Sequence, residues 1–98
     1  MPLINRQRGE VSAILAGTPR RLCLTLGALA QIETVLDLDD WSQLPQRMAR
    51  LSARDLVAVL AALLRGGGES EAADALGETA VDVREAAAAV AAALAAAA

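Results

Sequence analysis

Three aspartates close together in the chain are the first residues whose type and spacing could support chemistry. Asp37, Asp39 and Asp40 offer carboxylate oxygens, which are the ligands that hard cations such as Ca²⁺ prefer. An EF-hand loop needs glycine at its sixth position and glutamate at its twelfth, and the chain does not continue that pattern through Trp41 and Ser42. Carboxylates also suit the positive end of a helix dipole. We therefore expect Asp39 or Asp40 to cap a helix, and we predict no metal site.

A run of three glycines, Gly66 to Gly68, is the second candidate, because glycine-rich loops can cradle phosphate groups. A phosphate loop follows a strand and is succeeded by lysine and serine or threonine. Here the run follows a predicted helix, and no such pair comes after it. The glycines instead predict the C-cap of that helix, since they tolerate a left-handed backbone, and a hinge beyond it.

The other chemically capable residues lack partners. The chain has no histidine and a single cysteine, Cys23, which leaves disulfides, zinc sites and histidine-assisted nucleophiles without the residues they need. Glu33, Asp55 and Glu69 are isolated carboxylates with no evident acid/base partner. The sequence therefore predicts no catalytic residue and no cofactor, and favours a protein that is not an enzyme and acts by contact.

The elements that would position these residues centre on one predicted helix over residues 53–65. Ser52 followed by Asp55 resembles a capping box, and the glycine run marks the end. Between them nearly the whole circumference is apolar, so other elements must cover this helix on several sides. We predict an α+β fold that is predominantly helical, with an N-terminal β-hairpin packed on a small bundle of about four to five short α-helices.

The predicted order begins with a flexible lead-in over 1–7, followed by a single domain over 8–98. Alternating apolar residues predict a hairpin over 9–26, with strands at 10–16 and 20–26 separated by Gly17-Thr18-Pro19. Cys23 is expected half-buried in the second strand. Pro45 leaves two alternatives for the second helix: a disturbed first turn from Trp41, or a short turn followed by a helix beginning at the proline, which we favour. The predicted helices cover residues 28–36, 41–51, 53–65, 69–76 and 82–97.

Charge and hydropathy narrow the classes of partner that the protein is expected to bind. The net charge is −3, and the only basic cluster is the weak one at Arg6, Arg8, Arg20 and Arg21, so we expect no nucleic-acid surface. The predicted helices are too short to cross a membrane. The first residues, which turn polar at Arg6, do not form a signal peptide, so a cytoplasmic location is expected.

Partner contact is the remaining route to function. The outer edges of a hairpin can add a strand from another chain, which allows self-association. On the hairpin's second face, Ile14 and Cys23 are apolar residues left over after the core is filled, and Arg21 suits an acidic partner. Trp41 is the only aromatic residue. We predict Ile14, Cys23, Arg21 and Trp41 as partner-binding residues, although the apolar three could equally be ordinary core.

Several short sequence segments, taken in order, carry a family resemblance over roughly residues 8–94. These are Arg8-Gly9-Glu10, the hairpin, Leu24-Thr25-Leu26-Gly27-Ala28-Leu29-Ala30 running into Ile32-Glu33, Leu51-Ser52-Ala53-Arg54-Asp55-Leu56, and Arg65-Gly66-Gly67-Gly68. In their joint order and spacing the chain resembles the small tail proteins of gene transfer agents and related phages, encoded near the tail tube and tape measure genes.

That resemblance implies a bacterial tail assembly chaperone that binds the tape measure protein and recruits tail tube subunits. Two other classes stay open. A structural tube component would need long strands to build a ring, whereas the predicted strands are short. A small regulatory or DNA-binding module would need a basic recognition helix, and residues 46–50 supply only two arginines.

Overall fold

The computed structural model describes residues 9–97. The predicted lead-in over 1–7, the arginines Arg6 and Arg8, and Ala98 lie outside the described residues. In chain order the elements are the strands β1 (Val11–Leu15) and β2 (Thr18–Leu22), the helices α1 (Leu26–Leu36), α2 (Leu44–Met48), α3 (Ala53–Gly66), α4 (Ser70–Asp74) and α5 (Val83–Ala97), and two 3₁₀ turns, Trp41–Gln43 and Leu76–Glu78. The predicted α+β fold, mainly helical with an N-terminal hairpin, is confirmed.

The hairpin turns earlier than the sequence pattern indicated. β1 and β2 pair antiparallel with Leu15 opposite Thr18, so the turn consists of Ala16 and Gly17 alone. Both residues have positive φ, at 52° and 83°, as a type I′ hairpin turn requires. The prediction that Gly17-Thr18-Pro19 separates the strands is therefore wrong, because Thr18 and Pro19 already belong to β2.

The second strand also ends earlier than expected. The alternation of Leu22, Leu24 and Leu26 predicted a strand to residue 26, but β2 stops at Leu22. Thr25 then caps α1 by accepting a hydrogen bond from the amide of Ala28 at 3.1 Å, so Leu26 is already helical and exposed. A local cap has overridden a period-two pattern.

The acidic cluster serves the helix ends around it. Asp37 has a φ of 56° and takes the left-handed position of a Schellman motif at the end of α1, in which the amide of Leu38 donates to the carbonyl of Glu33. Asp40 caps the 3₁₀ turn at Trp41 by accepting from the amide of Ser42 at 2.7 Å. The predicted capping role is confirmed for Asp40. The turn leads into α2 with Pro45 in its first turn, close to the favoured alternative.

The central helix α3 begins and ends as its sequence predicted. Ser52 and Asp55 form a reciprocal capping box. Six consecutive residues, 59–64, are buried, and α1, α4, α5 and β2 all pack against the helix. Burial on every side is confined to that second half, since Val57 in the first half is 44% exposed.

The three glycines at the end of α3 have two different roles. Gly68, with a φ of 84°, occupies the left-handed position of a second Schellman motif, in which the amide of Glu69 donates to the carbonyl of Leu64 at 2.8 Å. Gly66 and Gly67 have ordinary φ, and space is what requires them. A Cβ on Gly67 would lie 2.3 Å from the carbonyl oxygen of Arg21, and one on Gly66 would lie 2.1 Å from that of Cys23. These two glycines let the end of α3 press against the chain at the end of β2.

The remaining core joins the hairpin to the helices. Leu15 and Leu22 on the inner face of the hairpin are buried with α1, α3 and α5, and β1 packs on α5. The buried residues of α5 are Ala86, Ala89, Val90 and Ala93. Because most of them are alanines, this helix can lie close to its neighbours.

Candidate interaction surface

The outer face of the hairpin brings together two of the four residues that the sequence singled out. Successive side chains of a strand alternate in direction, and the register pairs Ser12 with Arg21 and Ile14 with Pro19, so these four share one face. Ile14 is 59% exposed, which is high for an isoleucine in a strand. Arg21 is half-buried, and its Nε is buried without a hydrogen-bond partner in the described part of the chain.

Cys23 lies elsewhere. It is one residue beyond β2, its side chain is buried, and its amide donates to the carbonyl of Leu63 in α3 at 3.0 Å. The expectation of a half-buried cysteine on the hairpin's second face is therefore wrong. The physical reason is the close approach of the α3 end, made possible by Gly66 and Gly67, which covers this part of the chain. Cys23 offers no accessible surface to a partner.

Trp41 is a separate exposed feature. It begins the 3₁₀ turn between α1 and α2, and 68% of its surface is accessible. The turn that carries it is fixed by Asp40, whose pKa is lowered by its hydrogen bonds from the side chain and backbone of Ser42. Trp41 does not belong to the hairpin, so it forms a second potential contact point. Partner binding by Ile14, Arg21 and Trp41 stays a prediction.

Sequence reasoning missed an apolar groove of about 330 Å³. It runs between the first half of α3, the 3₁₀ turn after α4 and the start of α5, and Val57 and Val83 stand exposed on its walls. A second, smaller hollow of about 240 Å³ lies between α3 and α5, and Leu51 and Leu56 line both the groove and this hollow. No local pattern could have found the groove, because its walls come from three separate parts of the chain.

Ion pairs join neighbouring parts of the fold. Arg20 pairs with Glu69 at 3.4 Å, Arg47 with Asp55 at 3.1 Å and Arg65 with Asp74 at 3.1 Å. The hydrogen bond from Arg47 is the main cause of a lowered pKa at Asp55. Glu69 also accepts the backbone N–H of Arg21 at 2.9 Å. The carboxylates Asp55 and Glu69, isolated in the sequence, thus join elements together.

Residues 9–97 also bear on two further kinds of site, a metal centre and a membrane crossing. No group of three or more acidic or cysteine residues there is arranged to hold a metal ion. None of the helices in that range combines the length and apolarity that a membrane crossing requires.

Comparison with known proteins supplies the class of the chain. The family described as phage tail tube protein, GTA-gp10, matches residues 8–98. Comparison with curated proteins and with solved structures finds no match. The family description agrees with the tube-component alternative better than with the chaperone interpretation. Because the match spans nearly the whole sequence, this chain belongs to that family of gene transfer agent and phage tail proteins.

Proposed function

We propose that this protein is a component of the tail tube of a gene transfer agent or phage-like particle, and that it acts by protein–protein contact without catalysis. The observation that carries the proposal is the family match over residues 8–98. The surface is compatible with it, since the exposed Ile14 and Trp41 and the open hairpin offer contacts to neighbouring subunits. Its partners would be other tail proteins rather than nucleic acid or membrane.

A tail assembly chaperone is the second candidate, and a specific feature of the fold favours it. Within residues 9–97 the sheet consists of two strands of five residues each, which is little for a subunit that builds a ring from strands. The groove beside Val57 and Val83 suits an apolar segment of a partner. In this role the protein would bind tape measure and tube subunits in the bacterial cytoplasm and would be left out of the finished particle.

Particle composition separates these roles. Purified particles would be analysed by quantitative mass spectrometry for the ratio of this protein to the repeated tail subunits. A tube component is expected in a fixed ratio to them. A chaperone is expected to be depleted from particles and to copurify with the tape measure protein when the two are co-expressed. Absence from particles together with no binding to any tail protein would contradict both roles.

Two matched variants test whether the hairpin face makes the contact. Ile14→Arg changes the exposed hairpin residue, whereas Val35→Arg introduces the same group at an exposed position of α1. If the hairpin face binds tail partners, the first variant should lose partner binding in a pull-down while the second keeps it, with the melting temperature of both near that of the wild type. Equal binding by both variants would show that Ile14 takes no part in binding tail partners.

A further inference from the structure

The two edges of the hairpin differ in what their backbone offers. A two-residue turn is closed by a hydrogen-bonded pair, and such pairs then alternate with non-hydrogen-bonded ones along the ladder. The residues whose N–H groups point away from the partner strand are therefore those of the non-hydrogen-bonded pairs. By the observed register these pairs are Ile14 with Pro19 and Ser12 with Arg21.

The outer edge of β2 is closed. Pro19 has no N–H group, and the N–H of Arg21 donates to Oε2 of Glu69 at 2.9 Å. The end of α3 also lies against this strand, at the carbonyl oxygen of Arg21. An incoming strand would find no available donor on this side.

Within the part of the chain that the structure describes, the outer edge of β1 is open. Ser12 and Ile14 are both exposed, and neither amide donates to an acceptor within residues 9–97. Exposed edge strands are usually protected by a charge, a proline or a bulge. β1 reads Val-Ser-Ala-Ile-Leu and pairs without a bulge, so it has none of these. Among the described residues, none of these devices opposes pairing of β1 with another strand.

The sequence of β1 fits a second copy of itself. With a two-fold axis at Ala13, antiparallel pairing sets Ser12 opposite Ile14 and Val11 opposite Leu15, so no charges oppose one another. The outward N–H and C=O groups of Ser12 and Ile14 then exchange hydrogen bonds with those of the other copy. Helix α5 packs against β1, and its exposed residues at 87, 88, 91, 92 and 95 are all alanine, whereas the exposed Arg84 lies in its first turn.

We propose that two copies of the chain associate through β1, antiparallel about Ala13, to form one continuous four-stranded sheet. In an isologous contact both copies use the same patch, unlike the head-to-tail contacts that close a ring, so this pair concerns the free protein and goes beyond the proposed function. Its area is small, and the association should depend on concentration. Self-association can fail while the tail role stands, because particle composition is measured separately.

Sedimentation velocity of the full chain over a concentration series tests whether the chain dimerises through the edge of β1. Ser12→Pro removes an outward donor that the hairpin itself does not use, while Ser12→Ala removes only the hydroxyl. The wild type and Ser12→Ala should dimerise alike, and Ser12→Pro should weaken the dimer by about tenfold or more. Ile14→Lys, at an exposed position, should do the same if Ser12→Pro fails to fold. A wild type that stays monomeric throughout, or a folded Ser12→Pro that dimerises as tightly, would overturn the proposal.

Cysteine pairing tests the register. Ser12→Cys and Ile14→Cys proteins, mixed under mild oxidation, should form a mixed disulfide, because these positions lie opposite each other across the two-fold axis. Each variant alone should cross-link far less, since like positions are diagonal and separated by about 8 Å or more. Equal cross-linking of Ser12→Cys with itself would overturn this register. The wild type, whose Cys23 is buried, is the control.

Discussion

Both halves of α3 carry apolar side chains, but the two halves differ in their surroundings. In the second half, residues 59–64 are buried in succession, and the helix end is pressed against the backbone of Arg21 and Cys23. In the first half, Val57 is exposed and lines an open groove with Leu51 and Leu56. The hydrophobicity of Val57 did not distinguish it from residues 59–64, because the coverage of a side chain is decided by which other elements reach it.

The difference separates the covered half of the helix from a half whose exposed side chains border an open groove. The second half holds the hairpin, α1, α4 and α5 together, so changes there should act on the free energy of unfolding. The first half is held by its capping box, by the pair of Arg47 with Asp55 and by Leu56, which packs against the core. Changes to its exposed side chains should leave stability nearly intact, which is what a contact surface of a tail protein requires.

The largest effect is expected from Gly67→Ala. The added Cβ would lie 2.3 Å from the carbonyl oxygen of Arg21 and 2.9 Å from the amide nitrogen of Leu22, and backbone atoms cannot rotate away as a side chain would. We expect a loss of about 3 kcal/mol or more in the free energy of unfolding, measured by chemical denaturation. Gly77→Ala is the control, since nothing lies within 4 Å of its Cβ position, and it should change stability by less than about 1 kcal/mol. Similar losses for both would refute the role of close approach.

The next effect compares one side chain from each half. Leu63→Ala removes a fully buried side chain and should cost about 2–5 kcal/mol, through lost burial and the cavity left behind. Val57→Ala, at a half-exposed position, should cost about 0.5 kcal/mol. Thermal or urea unfolding of both variants gives the two values. If Val57→Ala destabilised as much as Leu63→Ala, the first half would be covered core, contrary to the comparison.

The smallest effect concerns pH and the start of the helix. The hydrogen bond from Arg47 lowers the pKa of Asp55 in the folded state, so the unfolded chain binds this proton more readily. The resulting stability is present above the ordinary aspartate pKa of about 4 and is lost as the pH falls through the lower folded value. Asp55→Asn should therefore flatten the decline of stability in acid, as urea unfolding at a series of pH values would reveal. Arg47→Met should flatten it too; an unchanged pH dependence in both variants would contradict the pairing.

Local signals predicted several helix boundaries, although α2 (Leu44–Met48) and α4 (Ser70–Asp74) are shorter than the predicted helices over 41–51 and 69–76. The Ser52 and Asp55 box, the aspartate before Trp41 and the glycine run each mark a helix boundary through bonds made within a few residues. The hairpin was predicted, but its turn was misplaced. Ala16 adopts a positive φ that alanine seldom takes, and Pro19 fits in a strand only because its position faces away from the ladder.

The candidate surface was predicted less completely, because parts of it depend on contacts between residues that are far apart in the sequence. Ile14 and Trp41 are exposed as a contact role requires, since an apolar residue on the outer face of a hairpin or in a polar turn has little to pack on. Cys23 was misassigned because its burial depends on glycines more than 40 residues later, Gly66 and Gly67. The groove beside Val57 and the closed edge at Glu69 likewise depend on long-range packing.

The central claim is that this chain serves the tail of a gene transfer agent or phage-like particle. The most direct measurement is electron microscopy of particles from a producing strain that lacks this gene, with the wild-type gene restored as the control. The account predicts heads without normal tails in the deletion strain and normal tails after restoration. Particles with tails of unchanged number and length in the absence of the protein would contradict it.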